Sequence, residues 1–147
     1  MYGPLREHED LDARSRDLVS YWKRSAILLS ERARSSGFRY LHFLQPKQWV
    51  EHSKVFGEEE RAIATPQDYF HREAAISGYR QLVTAGAEMQ AAGVAFTDLT
   101  RLFEGMSEPL YKDACCHLNQ RGYTLIAEAI GRNIREAYAD GQQPPER

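Results

Sequence analysis

Only two stretches of this chain read as β-strands, and a helical segment lies between them. The first, Phe38-Arg39-Tyr40-Leu41-His42-Phe43-Leu44, is rich in aromatics and closed by Pro46, a run that predicts a strand buried on both faces. The second is Val94-Ala95-Phe96-Thr97-Asp98. Thr65-Pro66-Gln67-Asp68 opens the helix between them. Thr65 suits the N-cap, Pro66 the first helical position, and Asp68 the positive end of the helix dipole. Ala75, Tyr79, Leu82 and Met89 mark its buried stripe, and Gly93 ends it. Strand–helix–strand is a parallel crossover unit, expected to be right-handed. Parallel sheets need both faces covered, and two strands alone leave two apolar edges that must pair with something. The chain therefore reads as the later part of a larger α/β domain, occupying residues 1–141.

Helices flank this unit. Over residues 11–36, Leu18, Trp22, Ala26, Leu29 and Ala33 recur at steps of 4, 4, 3 and 4, the spacing of one helical face, and Gly37 suits the residue just past its end. Residues 45–64 form a long connection holding Trp49, Phe56 and the acidic run Glu58-Glu59-Glu60. Glu58 to Ala64 can form a helical turn or two. After the second strand a loop with Gly105 and Pro109 as breakers leads to Leu118. Asn119 caps a last helix whose Tyr123, Ile126, Ile130, Ile134 and Ala137 share a face, and Gly141 stops it. The tail, residues 142–147, reads as disordered.

Composition excludes several function classes. With 147 residues and 16.9 kDa the chain has the size of one domain. Its 19 basic residues (15 Arg, 4 Lys) against 21 acidic ones give a net charge of −2, so nonspecific nucleic-acid or membrane-surface binding is not expected. No apolar run reaches the ~18 residues of a membrane span. Met1 to Asp12 is polar and acidic, without the apolar core of a secretory signal, which places the chain in the cytoplasm if Met1 is the true start. Cys115 and Cys116 are adjacent. A disulfide between neighbours is strained, so they read as free thiols, and one nearby histidine does not complete a zinc site.

The segment richest in chemistry is Leu110-Tyr111-Lys112-Asp113-Ala114-Cys115-Cys116-His117-Leu118-Asn119-Gln120-Arg121-Gly122-Tyr123, continuing through Leu125-Ile126-Ala127. Asp113 and His117 share one loop directly before a helix. A carboxylate beside an imidazole holds one tautomer and stabilises the imidazolium, which frees the other ring nitrogen to take a proton from a hydroxyl.

This stretch resembles the last sequence block of the SGNH hydrolases, the GDSL-type esterases and lipases. In that family Asp-x-x-His is followed by a polar residue, then a Gly, then a helix with an Ile/Leu-Ala pair. His117, Asn119, Gly122 and Ile126-Ala127 match in order, while Asp113 stands one residue further from the histidine than is usual. Phe43-Leu44-Gln45-Pro46 and Phe96-Thr97-Asp98-Leu99 look like the family's later strands. The resemblance, covering roughly residues 38–139, implies part of a three-layer α/β/α, flavodoxin-like fold with parallel strands. It implies His117 as general base and Asp113 as its orienter, acting on a carboxylic or acetyl ester with no metal or organic cofactor. The family's Gly-Asp-Ser nucleophile segment is not in this sequence. Nor is its oxyanion-hole pair, since the only asparagines are Asn119 and Asn133. Each lost oxyanion donor costs about 10²–10³ in rate, so little activity is expected of the chain by itself. The alternative is a non-catalytic interaction or dimerisation module, whose open strand edges pair with a second copy or with a missing N-terminal part.

Other residues carry plainer expectations. His42 reads as a core or sheet-edge histidine, His52 and His71 as solvent-facing, and Glu58-Glu59-Glu60 as a solvated face. Trp49 and Phe56 read first as packing on the sheet edge and second as lid residues over an acyl pocket.

Overall fold

The computed structural model, which describes residues 10–139, contains four helices and a two-stranded sheet packed against helices. The elements run α1 (Leu11–Ser35), β1 (Leu41–Leu44), α2 (Glu58–Ala64), α3 (Arg72–Ala91), β2 (Ala95–Asp98) and α4 (Gln120–Ala139). The readings at Gly141 and of the tail lie outside the described residues, as does the N-terminal stretch up to residue 9.

The strands pair parallel, Leu41 opposite Ala95 through Leu44 opposite Asp98, with α3 as the crossover between them. The Leu99 amide donating to the Leu44 carbonyl at 2.9 Å carries the ladder one step past β2. Alternation along a strand sends successive side chains to opposite faces. His42, Leu44 and Phe96 accordingly join Ala26, Met89 and Val94 in a core beneath α1 and α3, where the Trp22 ring stands edge-on to His42 and Phe96. Thr97 points the other way and donates to Asn133 Oδ1 of α4 at 2.8 Å. A second core, Ala64, Phe103, Leu110, Tyr111 and Leu118, fills the space beneath the loops at the sheet's C-terminal end.

Local chemistry explains the boundaries. Asp10 caps α1, its carboxylate accepting from the Ala13 amide at 2.6 Å. Gly37 at φ +76° takes the left-handed conformation that lets the chain turn out of α1. Thr65 is not an N-cap. It closes α2, its amide and its hydroxyl both donating to the Arg61 carbonyl, and residues 66–71 make turns before α3 begins at Arg72. The proline that suits a first helical position suits a turn equally well, and the preceding helix had already claimed Thr65. The first strand is also shorter and less buried than its run of aromatics suggests: of its four residues only Leu44 is buried.

Helical stripes shift as well. Leu18 and Leu29 of α1 are 61% and 54% exposed, while Ser15, Ala26 and Ser30 form the buried line. Helices pack closely where residues are small, and α1 meets α3 along such a seam. Tyr123 and Ile134 of α4 are likewise exposed.

Gly86 marks the tightest contact between α3 and the sheet. A Cβ there would stand 2.3 Å from the Phe96 ring, which is buried and has Trp22 against it. Gly86→Ala is therefore expected to lose stability by about 1–2 kcal/mol, overpacking outweighing the roughly 1 kcal/mol gained in helix propensity. Gly78, in the same helix, has nothing within 4 Å of such a Cβ, and Gly78→Ala is expected to gain about 0.5–1 kcal/mol. Urea midpoints that move in the same direction for both variants would refute this packing account.

Candidate functional site

The loop before α4 doubles back on itself. Tyr111 and Leu118 form an antiparallel bridge, with the Lys112 amide donating to the His117 carbonyl at 2.9 Å and the Asn119 amide to that of Leu110 at 2.8 Å. Residues 113–116 are thereby left as a tight tip. Asp113 organises this tip through both carboxylate oxygens. Its Oδ1 accepts from the amides of Cys115 (2.9 Å), Cys116 (3.1 Å) and His117 (3.3 Å), the way Asp residues commonly cap turns. Its Oδ2 lies 2.5 Å from His117 Nδ1.

The Asp113–His117 pair predicted from sequence is thus in hydrogen-bond contact, and the four-residue spacing is what a turn of this size needs to return the ring to the carboxylate. An ionised carboxylate only accepts, so Nδ1 carries the proton and, in the neutral ring, Nε2 is the acceptor. The His117 side chain is 63% exposed, and among the described residues no hydroxyl or thiol hydrogen-bonds to the ring. Burial works to raise the Asp113 pKa. The bonds from the His117 ring and from the amides of His117, Cys116 and Cys115 outweigh it, holding the carboxyl below its ordinary range.

Three consecutive side chains just past β1 hold the tip from outside. Lys47 Nζ donates to the Cys115 carbonyl, Gln48 Nε2 to that of Asp113 at 3.2 Å, and Trp49 Nε1 to that of Ala114 at 3.2 Å. The pair therefore sits at the carboxyl end of the parallel strands, where open α/β sheets bind ligands. Trp49 also stacks on Tyr69, ring centroids 5.9 Å apart and planes 3° from parallel. Phe56 packs on the second core beside Tyr111. Both aromatics of the long connection serve packing.

Beneath the tip lies an ion pair that was not anticipated. Glu60 is buried rather than solvated. Its Oε1 accepts from the Leu110 and Tyr111 amides at 2.6 and 2.8 Å, and its Oε2 meets Lys54 Nζ at 2.8 Å, with both side chains essentially inaccessible. Lys54 also donates to the carbonyls of Val55 and Met106. In an acidic triplet at the start of a helix, nothing in the sequence separates the inward carboxylate from its neighbours. The one available signal is the scarcity of lysine, since Lys47 and Lys54, two of only four, are buried.

The remaining matched residues prove to be fittings of the loop. Asn119 caps α4, Oδ1 accepting from the Gly122 amide at 2.9 Å while Nδ2 donates to the Pro109 carbonyl at 2.7 Å. A Cβ on Gly122 would lie 2.9 Å from Leu118 Cβ, so glycine is what lets the helix start against the loop. Ile126 packs on the second core. His42 is half-buried, with Nδ1 2.7 Å from the Tyr40 hydroxyl, and burial lowers its pKa. His52 and His71 are exposed, and both cysteines are free thiols. Among the described residues no helix is long and apolar enough to cross a membrane. Comparison of the chain with protein-family models, curated proteins and solved structures finds no match.

Proposed function

We propose that Asp113 and His117 are the general-base half of an ester-hydrolysing site of the SGNH type, with the nucleophile and oxyanion donors supplied by residues outside this sequence. The observation that carries the reading is the carboxylate–imidazole contact: Asp113 is anchored by three amides, and the His117 ring is held in the tautomer that leaves Nε2 basic and accessible. In such a triad Nε2 takes the nucleophile's proton, the carboxylate stabilises the imidazolium, and water completes the reaction. The parallel strands with helices on both faces agree with part of a three-layer α/β/α domain. Neither the serine of the loop before the pair nor that of the long connection stands out as the missing hydroxyl: Ser53 is 1% exposed, and Ser107 lies in an exposed loop.

The chain by itself is expected to show neither burst nor turnover on short-chain nitrophenyl esters, and to resist serine-directed inhibitors. Turnover abolished by His117→Ala would show instead that a complete site exists here. The coding DNA ahead of Met1 is the complementary test: an in-frame Gly-Asp-Ser and Gly-x-Asn-Asp support the reading, and a stop codon directly upstream with a good ribosome site favours the stand-alone module instead.

A second reading, a pairing module, draws on the sheet itself. Among the described residues each strand has a neighbour on one side only, and Ala95 is exposed. Sedimentation showing a concentration-independent monomer would set the homodimer form of this reading aside.

A further inference from the structure

We propose that Cys115 and Cys116 form a two-thiol binding site for trivalent, thiophilic electrophiles of the arsenical class, and that Asp113 gives the site its shape. Adjacency in sequence does not bring two thiols together, because neighbouring side chains of an extended segment point to opposite sides. Here the two Sγ atoms are 3.5 Å apart. The cause is the turn already described: one carboxylate oxygen gathers the amides of residues 115, 116 and 117, which curls the backbone until both sulfurs emerge on the same side. Cys115 is exposed and Cys116 half-buried, so a small reagent reaches both.

The separation selects the ligand. A centre bonded at about 2.3 Å to each sulfur, a typical soft metal–thiolate length, subtends about 100° across 3.5 Å. That angle suits a pyramidal centre with three bonds. A linear two-coordinate ion needs the sulfurs about 4.6 Å apart at the same bond length, and a disulfide needs them at about 2.05 Å. Zinc requires four ligands in a structural site, and among the described residues no group of three or more His, Cys, Asp or Glu side chains is placed to hold a metal ion. A trivalent arsenical needs only the two sulfurs and keeps its third substituent. With phenylarsine oxide, both S–H bonds break and two As–S bonds form, and the arsenyl oxygen leaves as water with the two thiol protons. Arsenic stays trivalent, so no oxidant is consumed. The second As–S bond closes within one molecule, where the local thiol concentration far exceeds that of a free monothiol.

The test is retention of phenylarsine oxide by the full chain in competition with glutathione, read by intact mass. The wild type is expected to keep one arsenical per chain, with Cys115→Ser and Cys116→Ser about 100-fold weaker. Asp113→Ala is expected to weaken retention about tenfold, because it releases the turn, while Asp113→Asn, whose amide oxygen still accepts from the backbone, restores most of it. The same measurement on the wild type in denaturing urea covers the case in which Asp113→Ala does not fold, and weaker retention there supports an imposed geometry. Single-cysteine variants that hold the arsenical as tightly as the wild type would overturn the site. Equal retention by folded Asp113→Ala, or by the urea-unfolded wild type, would overturn the role of Asp113.

Discussion

Lys54→Met is expected to destabilise the fold by about 3–5 kcal/mol, because it leaves the Glu60 carboxylate buried without its counter-charge. The lost Nζ also served the carbonyls of Val55 and Met106, so two further acceptors lose a donor. Glu60 in turn accepts from the amides that begin the dyad loop, so the damage is expected to reach residues 110–119 before the α1–α3 seam. The double variant Lys54→Met/Glu60→Gln removes both charges and keeps an oxygen for the Leu110 and Tyr111 amides. It is expected to recover a large part of the loss, since replacing a buried pair costs far less than breaking one. Chemical denaturation of the two variants decides the matter. A single variant within about 1 kcal/mol of wild type would mean that the pair is solvated in solution.

The second large effect is expected at the Asp113 turn and depends on pH. The carboxyl of Asp113 lies below its ordinary value in the folded chain. Between the folded value and the unfolded value of about 3.9, the unfolded state binds more protons, so stability rises with pH across that window. The contribution is complete above the unfolded value and is lost as pH falls through the folded one. The side chain is 41% exposed, so solvent screening limits the effect on global stability and the readout is local. Hydrogen exchange at the Cys115, Cys116 and His117 amides, corrected for intrinsic rates, is expected to show protection at neutral pH that disappears on acidification. Asp113→Ala is expected to lack that protection, exchanging about tenfold or more faster at neutral pH and showing no loss on acidification. Protection that instead fades on raising the pH from 4 to 7 would assign the anchoring of these amides to a group other than Asp113.

How much of this was legible in the sequence differs by element. The parallel crossover could be read because its signals are local: two apolar runs, the first closed by Pro46, with a helical period ended by Gly93 between them. The Asp113–His117 contact could be read because both partners lie within one turn, and Asn119 because a cap acts on the helix it begins. Boundaries that two elements compete for were not legible. Thr65 fits equally well before α3 and after α2, and only the completed α2 shows which carbonyl its amide meets.

What the sequence by itself determined is therefore the set of short-range devices: strand–helix–strand order, two free thiols, and a loop that folds its carboxylate back onto its imidazole. Only the tertiary structure decided which groups those devices rest on. Lys47, Gln48 and Trp49 reach carbonyls more than sixty residues away, Glu60 holds amides fifty residues on, and Gly86 is dictated by a ring on another element. Each depends on a separation that chain order does not encode. A buried polar group is stabilised by whichever partner the packed chain brings within hydrogen-bond reach, and until packing is complete the three glutamates at 58–60 are chemically the same.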